Sequence, residues 1–141
     1  MAALNFFDQF SEDLHSGVHN LIGGTDTLKV YLSNAAPNAA TNAVKADLAE
    51  ITNQNGYTAP VDIENGGTQS GGVTTITAVD KTITASGGTV GPFQYAVIYN
   101  DTPTSPLDPL VCWFDYGSAI TLQDGESFTI DFGASLFTNT L

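Results

Sequence analysis

The run Phe93-Gln94-Tyr95-Ala96-Val97-Ile98-Tyr99 places apolar side chains on nearly both faces of an extended chain. Successive strand side chains point to opposite sides, so such a run is stable only where both faces are covered. It predicts a strand at the centre of a layered β structure. Residues 110–116 form a second apolar run and predict another strand, with Gly117 turning the chain after it. Leu28, Val30 and Leu32 alternate with polar or amphipathic neighbours, as do Phe128, Ile130 and Phe132 with Ser127, Thr129 and Asp131. Each of these predicts a strand with one buried face.

The remaining strand signals are weaker. Residues 61–64 read as a short strand. Residues 73–79 and 81–85 are Thr-rich and β-branched, and read as two strands or as one strand bent at Asp80. Between the strands lie punctuating segments. Residues 33–42 are small and polar, residues 65–72 (Asn-Gly-Gly-Thr-Gln-Ser-Gly-Gly) read as a flexible turn or loop, and residues 86–92 as a turn. Residues 100–106 carry Pro103 and Pro106, and Asp124-Gly125 is a hairpin-turn dipeptide. Seven or eight strands so joined predict a mainly β chain, an antiparallel β-sandwich or jelly roll.

Helical periodicity occurs in two places. Leu4, Phe7, Phe10, Leu14, Val18 and Leu21 recur every three or four residues, with Asp8, Gln9, Ser11, Glu12 and Asp13 between them. This predicts an N-terminal amphipathic helix over about residues 4–16, started near Asn5 and weakened at Gly17. Val44, Leu48 and Ile51 predict one short additional helix, closed by Asn53-Gln54-Asn55-Gly56 with Gly56 at positive φ. The chain therefore divides into an N-terminal helical arm, residues 1–24, and a β-sandwich domain, residues 25–141.

Charge narrows the function. Fifteen carboxylates face three lysines (Lys29, Lys45, Lys81) and no arginine, for a net charge of −12, yet only 13% of residues are charged. Nucleic-acid surfaces need clustered basic side chains, and none is available here, so no nucleic-acid partner is expected. Halophilic surfaces are denser in carboxylates than this one, which is mostly hydroxyl and amide. The single cysteine, Cys112, lies in an apolar run and reads as a small buried hydrophobe, with no disulfide partner. No basic stretch leads into an apolar one near residue 1, and no apolar run approaches a membrane span, so neither a secretory leader nor a membrane partner is expected.

Candidate chemistry is sparse. His15 and His19 stand four apart, but Ser16 follows the first histidine where a zinc-protease motif requires glutamate, and no third ligand is evident. Asp124-Gly125-Glu126 and Asn100-Asp101 are oxygen-rich without the spacing of a calcium loop. Calcium shared between subunits stays open. Fifteen carboxylates do not single out a glycosidase pair. Gly87-Gly88 and Gly91 precede a strand instead of a helix N-terminus, so they do not form a phosphate cradle. No enzyme, metal site or cofactor is expected.

The aromatic N-terminal segment is the candidate binding element. Phe6, Phe7 and Phe10, with Leu14 and Val18, either cover the β domain or anchor in a groove on a partner or neighbouring subunit.

Three segments carry a family resemblance: residues 18–34, residues 48–57, and residues 84–132. The last includes Gly91-Pro92-Phe93-Gln94-Tyr95-Ala96-Val97-Ile98-Tyr99-Asn100-Asp101, Trp113-Phe114-Asp115-Tyr116-Gly117-Ser118 and Gly125-Glu126-Ser127-Phe128. In this order the chain resembles small structural proteins encoded among the virion genes of tailed bacteriophages. The resemblance implies a virion component on the outer face of the capsid, made in the host cytoplasm. It implies a cement or decoration protein that bridges neighbouring subunits of the major capsid protein as a homo-oligomer, with a trimer favoured. It implies no catalytic residues. Gln94 stands where the resemblance leads one to expect arginine. Two other roles remain open: a tail or fibre adhesin that stacks sugars on Tyr57, Tyr99, Tyr116 or Trp113, and a tail-completion protein.

Overall fold

The computed structural model describes residues 2–141, and the fold is mainly β with antiparallel sheets and one α-helix. Met1, the first residue of the expected arm, lies outside the described residues. Ten strands follow in chain order: β1 (Ala3–Phe6), β2 (Leu28–Ser33), β3 (Val61–Asp62), β4 (Gly66–Ser70), β5 (Val73–Thr77), β6 (Lys81–Thr84), β7 (Val90–Asn100), β8 (Leu110–Leu122), β9 (Ser127–Ile130) and β10 (Phe137–Thr140). The helix α1 (Asp8–His15) sits between β1 and β2. The strands form a five-stranded sheet in the order β1-β8-β7-β2-β3, a three-stranded sheet β10-β5-β4, and a β6-β9 pair.

The apolar run at residues 93–99 lies within β7, between β8 and β2 at the centre of the main sheet. Its alternation splits the core in two. Ala96 and Ile98 join Leu28, Val30, Leu32, Cys112 and Phe114 on one face, where Ile76, Ile83, Ile130 and Phe132 of the smaller sheets complete a shared core. Val97 and Tyr99 join Tyr31, Leu110 and Trp113 on the other face, covered by Phe7 and Leu48. Burial on both faces explains why β7 needs almost no polar residue.

Several expectations are corrected. The N-terminal helix does not begin at residue 4. Residues 3–6 form β1, paired with β8 in the register Leu4↔Phe114 and Phe6↔Cys112, so Asn5 lies in a strand and caps nothing. Extended backbone at Phe7 separates strand from helix. Leu4 and Phe7 fit the helical spacing only because a strand running into a helix can bury both. The helix ends as its sequence suggests: Gly17 has φ 84°, its N–H reaches Leu14 O, and Val18 N–H reaches Asp13 O. This is the paired closure that a left-handed glycine permits.

The expected helix over residues 44–51 is a single 3-10 turn, Lys45–Asp47. Asp47 accepts hydrogen bonds from the backbone N–H groups of Ala43 and Val44, at 2.9 and 3.1 Å, which fixes the turn's start. Leu48 is already extended, and Ile51 N–H bonds Leu32 O. Residues 66–70, expected as loop, form β4 against β5. Gly117 does not end its strand: it is passed at φ 85° while β8 continues to Leu122. Val90, Gly91 and Pro92 belong to β7 and not to a turn.

Candidate functional site

The N-terminal segment is built into the edge of the β body. Phe7 is 1% exposed and packs its ring 4.6 Å from Trp113; Phe10 is 6% exposed and lies edge-on to His19 and Phe137. Leu14 and Val18 are half-buried. Of the five residues singled out by sequence, Phe6 alone is largely open, at 42% exposure. Its ring stacks 6.0 Å from Phe10 and meets Phe137 edge-on at 5.1 Å.

Phe137 belongs to β10, a strand that sequence reasoning missed because Phe-Thr-Asn-Thr carries only one apolar residue. Its position creates a groove. Two adjoining hollows of about 260 and 480 Å³ lie beside α1 and β10, and share Phe10, Leu14, His15, Phe137 and Asn139 in their walls. The smaller hollow lies beside β10 at the unpaired sheet edge, and the larger extends from it across the sheet to Gln69, Thr74 and Ile76, with the rings of Phe10 and Phe137 in the wall they share.

A buried polar cluster fastens this region to β7. Asn100, fully buried, donates through Nδ2 to His19 Nδ1 at 2.9 Å and to Asp26 Oδ2 at 2.8 Å, while its Oδ1 accepts from Thr102 N–H. Asp26 also accepts from Asn20 N–H at 2.8 Å. Because His19 Nδ1 accepts, the neutral ring carries its proton on Nε2. That Nε2 and Asp13 Oδ2 are both buried without a partner. Burial holds the His19 pKa below its ordinary value, although Asp13 and Asp26 pull it upward. The cluster joins residues distant in sequence, and nothing in the local pattern around Asn100 announces it.

The other candidates are engaged elsewhere. His15 is exposed, and its Nδ1 contacts its own helix at Ser11 O, 2.7 Å away, while His19 Nδ1 is held by Asn100; both residues line the larger hollow, with each Nδ1 already engaged. Asp124 accepts from Gly87 N–H, which ties two loops together, and Glu126 from Gln123 N–H, which closes its own turn. Among the described residues no group of three or more His, Cys, Asp or Glu side chains is arranged to hold a metal. Tyr57, Tyr99 and Trp113 are core residues, and Tyr116 packs against Phe93 and Phe128. Gln94 donates to Asp115 of its own chain at 3.1 Å.

All three lysines are already paired: Lys29 with Asp101 at 2.9 Å, Lys45 with Glu50 at 3.2 Å, and Lys81 with Glu64. Lys45 also lies over the Tyr31 ring, 4.7 Å from its centre. The surplus of carboxylates therefore has no lysine left to neutralise it. Among the described residues no helix is long and apolar enough to cross a membrane. Comparison with family models, with curated proteins and with solved structures finds no match.

Proposed function

We propose that this chain is a structural protein of a bacteriophage virion, a cement or decoration protein that binds the outer face of the assembled head and bridges neighbouring capsid subunits. The observation that carries this reading is an aromatic groove at an open sheet edge, set in a surface whose net charge of −12 is left uncompensated by three paired lysines. A head interior crowded with nucleic-acid phosphate repels such a body; the outer face does not. Antiparallel sheets packed on a shared core support reading the chain as a rigid β-sandwich, and a rigid body binds without a large ordering cost. A protein that binds only the assembled lattice stabilises it by mass action at every copy. A homotrimer would place three such grooves around one axis.

The lectin alternative loses three of its four stacking residues, since Tyr57, Tyr99 and Trp113 are 2%, 1% and 9% exposed, and the fourth, Tyr116, is half-buried against Phe93 and Phe128. Immunogold electron microscopy of intact particles tests the proposal. Dense label over the heads is expected; label confined to the tail overturns it. Truncating the N-terminal segment is a poor companion test, because it removes an edge strand and the buried Phe7 and Phe10. Phe6→Ser is better, as it alters the exposed ring alone.

A further inference from the structure

The open edge beside the groove lacks the devices that keep sheet edges unpaired. Exposed edge strands are usually blunted by lysine, proline, a bulge or a covering segment. Around β4, the other edge strand of the same sheet, the segment at Leu21 packs over the face: a Cβ on Gly67 would stand 2.0 Å from Leu21 O. β10, Phe137-Thr138-Asn139-Thr140, has no lysine and no proline, exposes its last three residues, and has no second strand beside it among the described residues. Its inward bonding is set by the ladder to β5, in register Asn139↔Thr74, and by Leu141 N–H donating to Gly72 O. Antiparallel alternation then turns the N–H and C=O groups of Thr138 and Thr140 outward.

We propose that this edge and its groove accept an extended, basic segment of a partner protein, which adds as a strand to β10 and seats apolar side chains among the aromatic rings. Phe6, Phe10 and Leu14 form one wall, and Phe137, Thr138 and Asn139 the other. Charge selects the partner. The groove walls contain no lysine and two histidines, His15 and the buried His19; α1 exposes Asp8 and Glu12 on the turns next to them, and every lysine of the chain is paired elsewhere. Lysine or arginine on the outward face of an incoming strand would meet a surface of net charge −12. Alternating basic and apolar residues satisfy both demands, because strand side chains alternate. The inference builds on the proposed attachment to a protein shell and names the chemistry of the segment bound.

The test uses the intact protein labelled with 15N, titrated with an acetylated peptide of alternating Lys and Val, and with its Glu-Val counterpart. The Lys-Val peptide is expected to shift the amide signals of Thr138 and Thr140, to bind more weakly as salt rises, and to outcompete the Glu-Val peptide. Thr138→Pro removes an outward N–H without touching the β5 ladder. It is expected to weaken peptide binding roughly tenfold or more while leaving the remaining amide spectrum in place. Thr138→Val, which keeps the N–H, is expected to bind as the parent does. Absence of binding, shifts confined to other strands, equal binding of both peptides, or an unaffected Thr138→Pro variant would each overturn the inference. Peptide binding by a protein that does not label heads would instead overturn the shell reading and leave the groove assignment standing.

Discussion

Tyr57 closes a gap in the main sheet, and removing its hydroxyl should be felt throughout the chain. β3 pairs with β2 only at Lys29 and Val30, so the edge of β2 beyond them has no strand beside it. The fully buried Leu32 fills that gap with other partners: its O accepts from Ile51 N–H at 3.0 Å, and its N–H donates to Tyr57 Oη at 2.8 Å. Tyr57 Oη in turn donates to Glu50 Oε2 at 3.3 Å. Tyr57→Phe keeps the ring and its packing but leaves the Leu32 N–H unsatisfied in a dry site. A stranded buried donor costs about 1–3 kcal/mol. Glu50 retains Lys45 at 3.2 Å, so its lost bond adds little, and about 2 kcal/mol is expected in total. For a chain of this size that lowers the melting temperature by roughly 6–8 °C. Urea unfolding followed by the fluorescence of Trp113 reads the change, and hydrogen exchange at Leu32 shows where it arises. A loss below about 0.5 kcal/mol with an unchanged m-value would refute the assignment of Tyr57 as the partner of that amide.

Two further outcomes are expected. His19 is neutral and buried, with a pKa below its ordinary 6.5, so the unfolded chain takes up a proton that the folded chain refuses. Stability should therefore decline as pH falls below about 6.5 towards the lower folded value, and His19→Gln should flatten that slope in urea titrations across the window. Cys112 is fully buried and its thiol is pushed up by burial. It should resist iodoacetamide in the native protein at neutral pH and react readily in urea; rapid labelling without denaturant would show that the β8 core opens.

What the sequence disclosed, and what it hid, follows from where the periodicity lives. β7 was legible because a strand buried on both faces must be apolar at consecutive positions, and β9 because Phe128 and Ile130 alternate with polar residues. β4 and β10 were not, because Gly66-Gly67-Thr68 and Thr138-Asn139-Thr140 pair through the backbone and carry little hydrophobic pattern. The long reach of β8 was hidden by Gly117, whose positive φ marks a kink within a strand as readily as a turn. Leu4 and Phe7 matched a helical period by coincidence of spacing. Of the binding element, Phe6, Phe7 and Phe10 were visible as excess aromatic surface. Phe137, which completes the groove from the far end of the chain, was not, since only the β10–β5 pairing brings it there. The Asn100–His19–Asp26 cluster was equally invisible, because it joins three separate segments.

The most direct experiment sediments the purified protein with assembled heads that lack it, alongside free capsid subunits and host-surface glycans. Saturable binding to heads, with none to free subunits or glycans and a marked loss in Phe6→Ser, is the expected result. Binding to glycans or host cells with none to heads would contradict the cement reading.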